Sequence, residues 1–266
     1  MRISLITDNP GHPLLSAAAG LLRAAGHGIE VLDPGAPDPA AAPPADVYLL
    51  KAHTPQGLDL ARRLERRGAP VVNSAAATTL CQDRTLMAEL AVRVGLPFAG
   101  TRTFDALARW ADGATLRAPV VVKSRHSRRE DLVALVDGAA GLKELVDAWP
   151  DEPVVVQDFA PNSGWDHKLW AIGDQVFAAL RRSELSPEGR GPTLPLPRLP
   201  AGWADLTRRV GEVFSLDVYG VDIIATADGS PLIVDVNAFP GIREQPGAPE
   251  ALAELALRRA GRHHGE

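Results

Sequence analysis

Two carboxylates and a carboxamide stand on what reads as one β-hairpin. Asp222 lies in Gly220-Val221-Asp222-Ile223-Ile224, and Asp235-Val236-Asn237 follows Leu232-Ile233-Val234. Between the two runs, Asp228-Gly229 is a hairpin-turn signal. Side chains alternate along a strand, so Asp235 and Asn237 share one face. With Asp222 on the partner strand, they offer hard oxygen donors to a single site. Mg²⁺ takes few carboxylates and fills its shell with phosphate oxygens and water, which suits this set. The plainer reading makes them polar-face residues of a half-exposed hairpin. The apolar runs beside them instead predict that both faces are covered, and a buried carboxylate needs a cation.

The cations point the same way. Of the 28 basic residues only Lys51, Lys123, Lys143 and Lys168 are lysine, and the other 24 are arginine. In a chain that uses arginine by default, each lysine raises the question whether its position wants a compact ammonium. Lys123 ends the apolar run Val120-Val121-Val122, an awkward place for a charge unless it meets an anion. The next residues, Ser124 to Asp131, are polar and basic, as a loop over a polyphosphate would be. Lys168 is read as the start of a strand, with Arg181 and Arg182 at the end of its hairpin mate. Taken singly, each is a solvated charge on the plain reading, and Arg182 is best left there. Together with the carboxylates they are the equipment of phosphoryl transfer from ATP.

These groups need elements to position them. The first 73 residues alternate short apolar strands (Ile3–Thr7, Ile29–Leu32, Val47–Leu50, Val71–Asn73) with helical spacing over Leu14–Ala25 and Leu58–Arg67, stopped by Gly26 and Gly68. Such alternation predicts βαβ units and a parallel sheet. No G-x-G-x-x-G follows the first strand, which argues against a dinucleotide site there. Pro34–Pro44 reads as a surface loop. A helix is expected over Asp83–Val94 with its stop at Gly95, then strands at Val120–Lys123 and Val154–Phe159 around a strand and a helix in 132–149. A hairpin of Leu169–Ile172 and Val176–Leu180, a Pro-rich loop over 186–200, a helix near Leu206–Phe214, the Asp228-Gly229 hairpin and a last helix at Ala248–Arg259 complete the pattern. The expected division is an N-terminal unit over 1–80, a central lid over 81–156 and a C-terminal unit with the metal site over 157–266.

Composition limits the classes of function. The chain has 266 residues with formal net charge −5, which speaks against a strongly basic nucleic-acid binder. The one cysteine, Cys81, rules out a disulfide framework or a multi-cysteine metal site and reads as a packing residue. With no apolar run of membrane-spanning length and no leader pattern, the expectation is a cytoplasmic protein without a membrane partner. His263-His264 fall at a polar terminus, where a metal role is not expected. Trp149, Trp165, Trp170 and Trp203 either line a cleft or pack, and the sequence does not choose between these.

The ordered set of motifs resembles the ATP-grasp enzymes over nearly the whole chain, in particular RimK-type glutamate ligases and ATP-grasp inositol-phosphate kinases. Gly26-His27, Glu30-Val31-Leu32-Asp33-Pro34, Asn73-Ser74, Asp83-Arg84 and Ile172-Gly173-Asp174-Gln175-Val176 leading to Arg181-Arg182 are ligase-like. Lys123-Ser124-Arg125, Val155-Val156-Gln157-Asp158-Phe159, His167-Lys168, Arg181 with Ser183, and Asp235-Val236-Asn237-Ala238-Phe239-Pro240-Gly241 are kinase-like. The resemblance implies an α/β fold, α+β in its C-terminal half. A parallel N-terminal domain, a small lid and an antiparallel C-terminal domain would make it up, with ATP between the last two. It implies that Lys123 binds the α/β-phosphates, that Arg84 replaces a second lysine of relatives, and that Gln157, Asp158 and Phe159, with Ser183 nearby, hold the nucleotide. Lys168 and Arg181 would face the transferred group, and Asp222, Asp235 and Asn237 would hold Mg²⁺ (or Mn²⁺). Gly241 would let the backbone approach the acceptor, and Lys51 matches a substrate-side lysine through spacing alone. Lys143, beside Glu144, reads as a solvated helix face.

Three departures from the ligase pattern stand out. Asp235 replaces the usual Glu, Lys168 replaces Arg, and the loop after Lys123 lacks glycines, which leaves Arg125, Arg128 and Arg129 to act by charge. The functions in play are a carboxylate–amine ligase working through an acyl-phosphate, a small-molecule kinase acting on an alcohol, and a non-catalytic ATP-binding protein. The acceptor is expected to be a small molecule or peptide. A homodimer stays open.

Overall fold

The computed structural model describes residues 1–36, 43–186, 191–196 and 198–263, with side chains placed through 261. Parts of the expected loops at 34–44 and 186–200, and His264, lie outside the described residues.

The N-terminal unit is built from β1 (Arg2–Ile6), α1 (Pro13–Ala24), β2 (Gly28–Leu32), β3 (Val47–Leu50), α2 (Pro55–Glu65) and β4 (Val71–Val72), in a parallel sheet of order β2-β1-β3-β4. Pro13 and Pro55 each open a helix, where a missing N–H costs nothing. The glycines expected as stops, Gly26 and Gly68, have φ of 84° and 82°, the left-handed values that end a helix without a Cβ clash.

Two helices follow, α3 (Ala75–Gln82) and α4 (Arg84–Arg93). Ser74 caps the first by accepting from Ala77 N at 3.1 Å, and Asp83 caps the second by accepting from Thr85 N at 2.9 Å. Ala-Ala-Ala-Thr-Thr-Leu-Cys-Gln carries little apolar periodicity, so α3 was not legible beforehand. Ala77, Cys81, Met87 and Ala91 pack into the core of the C-terminal sheet. The chain from 75 to 98 therefore joins that body before it builds the lid.

The lid contains β5 (Thr101–Phe104), α5 (Leu107–Ala111), β6 (Val120–Ser124), β7 (Val133–Val136), α6 (Ala139–Ala148) and β8 (Val154–Asp158), with an antiparallel sheet of order β5-β8-β6-β7. β8 crosses the 156/157 limit drawn from the sequence. Behind this sheet, Leu107, Trp110, Leu142, Val122 and Val156 form a separate small core.

The C-terminal unit holds β9 (Trp165–Ile172), β10 (Gln175–Arg182), β11 (Thr193–Pro195), α7 (Trp203–Phe214), β12 (Val218–Ala225), β13 (Pro231–Ala238) and α8 (Ala248–His263). Its antiparallel sheet has the order β11-β10-β9-β12-β13. The first hairpin is longer than expected and places Lys168 inside β9 rather than at its start. The cause is that Asp166 and Lys168 are buried polar residues, so the strand lacks the apolar alternation that marks one. The Pro-rich stretch, expected as loop alone, contributes β11 at the sheet edge, where proline is tolerated.

Helix α8 packs between the two outer units. Leu252 and Ala256 share one core with Ile3, Leu15, Trp170 and Ile172. Asn73 adds a polar joint: its Nδ2 donates to Val218 O at 2.6 Å, and its Oδ1 accepts from Asp217 N at 2.7 Å and Val218 N at 3.0 Å. The start of β12 is thereby fixed beside the N-terminal sheet. Among the described residues no helix is long and apolar enough to cross a membrane.

Candidate functional site

Asp222 and Asp235 face each other directly in the β12–β13 ladder, and Asn237 lies opposite Gly220. On its other side Asp222 is paired with Lys168 of β9, whose Nζ donates to Asp222 Oδ2 at 2.6 Å and lies 3.3 Å from Asp166 Oδ2. Burial pushes the Asp222 carboxyl above its ordinary range, while Lys168 pulls it back. Just past Asp222 the register slips: Ile223 pairs with Ile233, which leaves Val234 as an extra residue on β13. Such a bulge interrupts the ladder. The Val234 carbonyl accepts instead from Lys123 Nζ at 2.8 Å. Lys123 comes from β6 of the lid and is only 6% exposed. Burial lowers its pKa, against the attraction of Asp235.

Lid and C-terminal sheet face each other across a cleft. Lys123, Gln157, Asp158, Phe159, Lys168, Ser183, Asp222 and Asp235 all line it, so eight residues singled out in the sequence meet in one place. Gln157 is fixed by donation from Nε2 to Thr101 Oγ1 at 3.0 Å, whereas the Asp158 carboxylate pairs with Arg102 at the surface. A second, more polar cleft contains Arg84, Asp131, Arg181, Asp222, Asp235 and Asn237. Asp222 and Asp235 line both clefts and so stand where the two meet. Arg181 makes no side-chain hydrogen bond among the described residues.

Arg84 is buried, and its Nη1 lies 2.6 Å from Asp131 Oδ2 and 2.8 Å from Ser124 O. Its Nη2 is 3.4 Å from Asp235 Oδ2. Burial opposes its charge, but Asp235 and Asp131 hold its pKa above the ordinary value. Its guanidinium thus orders carboxylates and the start of the lid loop. The loop arginines expected to act by charge are also engaged: Arg125 grips the Asp83 carboxylate, with Nη2 to Oδ2 at 2.9 Å, and Arg128 pairs with Glu152 at 2.7 Å. Arg129 points to solvent.

Other expectations resolve by packing. Trp170 and Trp203 are core residues, Trp149 packs in the lid core, and Trp165 lies under Arg182, whose guanidinium carbon is 5.5 Å from the ring centroid. None of the four lines the two clefts. Cys81 is buried, and desolvation pushes its thiol up to about 12. Lys143 makes a surface pair with Asp147 at 2.7 Å. Lys51 and Gly241 lie outside both clefts, Lys51 just beyond β3 and Gly241 against His12. Asp131, Asp166 and Glu184 belong to the site and were not singled out beforehand.

For a divalent cation the donor chemistry fits. Asp222, Asp235 and Asn237 present hard oxygens around one cleft, and Asp222 is a carboxylate whose burial calls for positive charge. Among the described residues no cluster of three or more His, Cys, Asp or Glu side chains is present, so Asn237 is needed to complete a set.

The RimK-like ATP-grasp domain model matches residues 98–246. The chain belongs to the RimK-like ATP-grasp family. A probable alpha-L-glutamate ligase of Nitrosococcus oceani is 28% identical over 202 residues, covering 70% of this chain and 65% of that relative's length. A second such relative, from Hahella chejuensis, is 28% identical over 201 residues, with 71% and 66% covered. The chain thus spans about two thirds of the curated relatives it matches. Among solved structures, a RimK domain ATP-grasp protein from Sphaerobacter thermophilus superposes with TM-score 0.76 at 24% identity, covering 97% of this chain and 100% of that one. D-alanine–D-alanine ligase from Bacillus anthracis, solved with ATP, gives TM-score 0.74 at 16% identity with 98% of both chains covered. These likenesses establish the ATP-grasp fold expected from the sequence.

Proposed function

We propose that this RimK-like ATP-grasp protein is an ATP-dependent carboxylate–amine ligase that works through an acyl-phosphate. The supporting observation is that Asp222 and Asp235 stand at the junction of two clefts, one with Lys123 and Gln157–Phe159, the other with Arg181 and Asn237. In this reading Gln157, Asp158 and Phe159 receive the adenine, with Ser183 nearby, and Lys123 binds the α/β-phosphates. Asp222, Asp235 and Asn237 hold Mg²⁺ or Mn²⁺, which when bound supplies charge neutralisation at the phosphates. Lys168, from the first cleft, and Arg181, from the second, face the γ-phosphate. Arg84, in the position of a relative's second phosphate-side lysine, also holds Asp235 in place.

An acceptor carboxylate oxygen attacks the γ-phosphorus, and ADP leaves with the bridging oxygen. An amine then attacks the acyl carbon, phosphate departs and the amine loses a proton. Positioning and preorganised charge carry most of such a reaction, so no side-chain nucleophile is required. The relatives named as glutamate ligases make glutamate the first amine to test.

The deciding assay incubates the protein with Mg-ATP and candidate acids, with glutamate or hydroxylamine as the amine. ADP release coupled to amide or hydroxamate supports the ligase. Labelled phosphate recovered in an alkali-stable ester overturns it in favour of the kinase.

A further inference from the structure

A single residue separates α3 from α4. Asp83 is extended, at φ −104° and ψ 102°, and serves as the C-cap of the first helix and the N-cap of the second. A helix ends in carbonyls, and starts with N–H groups, that have no partner inside it. The lid loop takes one of each: Ser127 N donates to Gln82 O at 2.8 Å, and Arg84 N donates to Arg125 O at 2.9 Å. Residues 82–84 and 125–127 thus form a short antiparallel bridge, with Asp83 opposite His126.

The bridge accounts for a covering loop without glycine. Glycine gives such a loop freedom to fold down, whereas this one is fastened. Arg125 grips the Asp83 carboxylate, and Asp131, at the far end, pairs with Arg84 at 2.6 Å. Between these ties Ser127, Arg128 and Glu130 line the second cleft, beside Arg181 and Asn237. Both ends of the loop are therefore held by the segment 82–84.

That segment is anchored in turn. Ala77 and Cys81 seat α3 on the C-terminal core. The Gln82 side chain reaches the N-terminal unit, where its Nε2 donates to His53 O at 2.8 Å. The loop carrying His53 is tied at both ends. Lys51 N and Ala52 N donate to Ile6 O, at 2.9 and 3.0 Å, which binds its start to the end of β1. Thr54 caps α2 by accepting from Gly57 N at 3.1 Å, which binds its end. Gly57 permits this closure, since a Cβ there would lie 2.9 Å from Ala52 Cβ. Gln82 is a two-sided clasp, with its carbonyl on the lid loop and its side chain on the loop after β3.

We propose that Gln82 is a positioning residue for the nucleotide: by clasping the loop after β3 it fixes where the lid loop stands over the second cleft. It lines neither cleft and acts through Ser127. The inference rests on the ATP-dependent reading and adds that the N-terminal unit takes part in holding the nucleotide. Without the side-chain bond the last turn of α3 frays at Gln82, and the carbonyl that accepts from Ser127 moves with it. The lid loop then loosens while the cores of the three units stay intact.

The test compares Gln82→Met, which keeps the length and removes the donor, with Gln82→Lys, which offers a donor to His53 O again. Amide hydrogen exchange over residues 125–131 and Mg-ATP affinity by calorimetric titration are measured on the full chain, with urea midpoints as the check on folding. In Gln82→Met, exchange at Ser127 is expected to rise at least about fivefold and Mg-ATP to bind at least about threefold more weakly, the scale of one net hydrogen bond. Exchange within α4 should stay near the parent's, since local opening there does not depend on the clasp. Gln82→Lys is expected to recover most of both effects. Mg-ATP affinity equal to the parent's in Gln82→Met, equal weakening in the two variants, or exchange rising alike at Ser127 and throughout α4 overturns the inference. A parent that binds no Mg-ATP would overturn the nucleotide reading itself, a result distinct from each of these.

Discussion

Lys123 of the lid donates to the carbonyl of Val234, 111 residues away, across 2.8 Å. That carbonyl belongs to the bulge residue beside Asp235, so one ammonium closes the lid onto the strand carrying the candidate metal ligands. Lys123→Met keeps the length of the side chain and removes its charge. ATP affinity is expected to fall at least about tenfold, or ~1.4 kcal/mol, by calorimetric titration, with the fold retained by circular dichroism. Unchanged affinity would exclude Lys123 from the phosphate site.

Asp235→Asn keeps the shape of a proposed metal ligand, and Arg84 keeps its pair with Asp131. Metal-dependent ADP release is expected to drop by at least about a hundredfold, or ~2.7 kcal/mol of transition-state stabilisation. Binding of ATP in the presence of chelator should change only a few-fold. Full ADP release by the variant would remove Asp235 from the metal set.

Asn73→Ala removes three hydrogen bonds at a buried joint and strands two backbone N–H groups, while the Val218 carbonyl keeps its bond from Phe239 N. The expected loss is about 2–4 kcal/mol in urea unfolding, with more protease cleavage between the N-terminal and C-terminal units. A variant as stable as the parent would show that α8 alone holds the units together.

His53 has its pKa lowered from 6.5 to about 4, mainly by burial, with Lys51 adding to the shift and Asp8 opposing it. The unfolded chain binds this proton more readily than the folded one, so its contribution to stability is complete above about pH 6.5. It is lost as pH falls toward 4, at no more than about 1.4 kcal/mol per pH unit. Urea midpoints across that window should show a shallower slope for His53→Gln than for the parent. Equal slopes would place the titration elsewhere.

The local chemistry of the site was readable because it follows short-range rules. Alternation put Asp235 and Asn237 on one face, Asp228-Gly229 paired them with Asp222, and the apolar run before Lys123 marked a buried ammonium, which donates to the Val234 carbonyl. Helix stops at Gly26, Gly68 and Gly95 were equally local, since each needs a positive φ. In β9 the same rules failed: Asp166 and Lys168 replaced apolar alternation with buried charge, and the start of the strand was missed.

By itself, then, the sequence determined the residue types, their spacing and the family, because strand period, turn chemistry and motif order are written within a few residues. Only the tertiary structure decided which charges meet. Arg84 turned to Asp131 and Asp235, Arg125 to Asp83, and Lys123 to Val234, and Lys51 came close enough to act on His12 and His53. A buried ion pair or an unpaired imidazole depends on what lies opposite in the folded chain. That is set by packing of three sheets and α8 over long sequence distances, which no local pattern records.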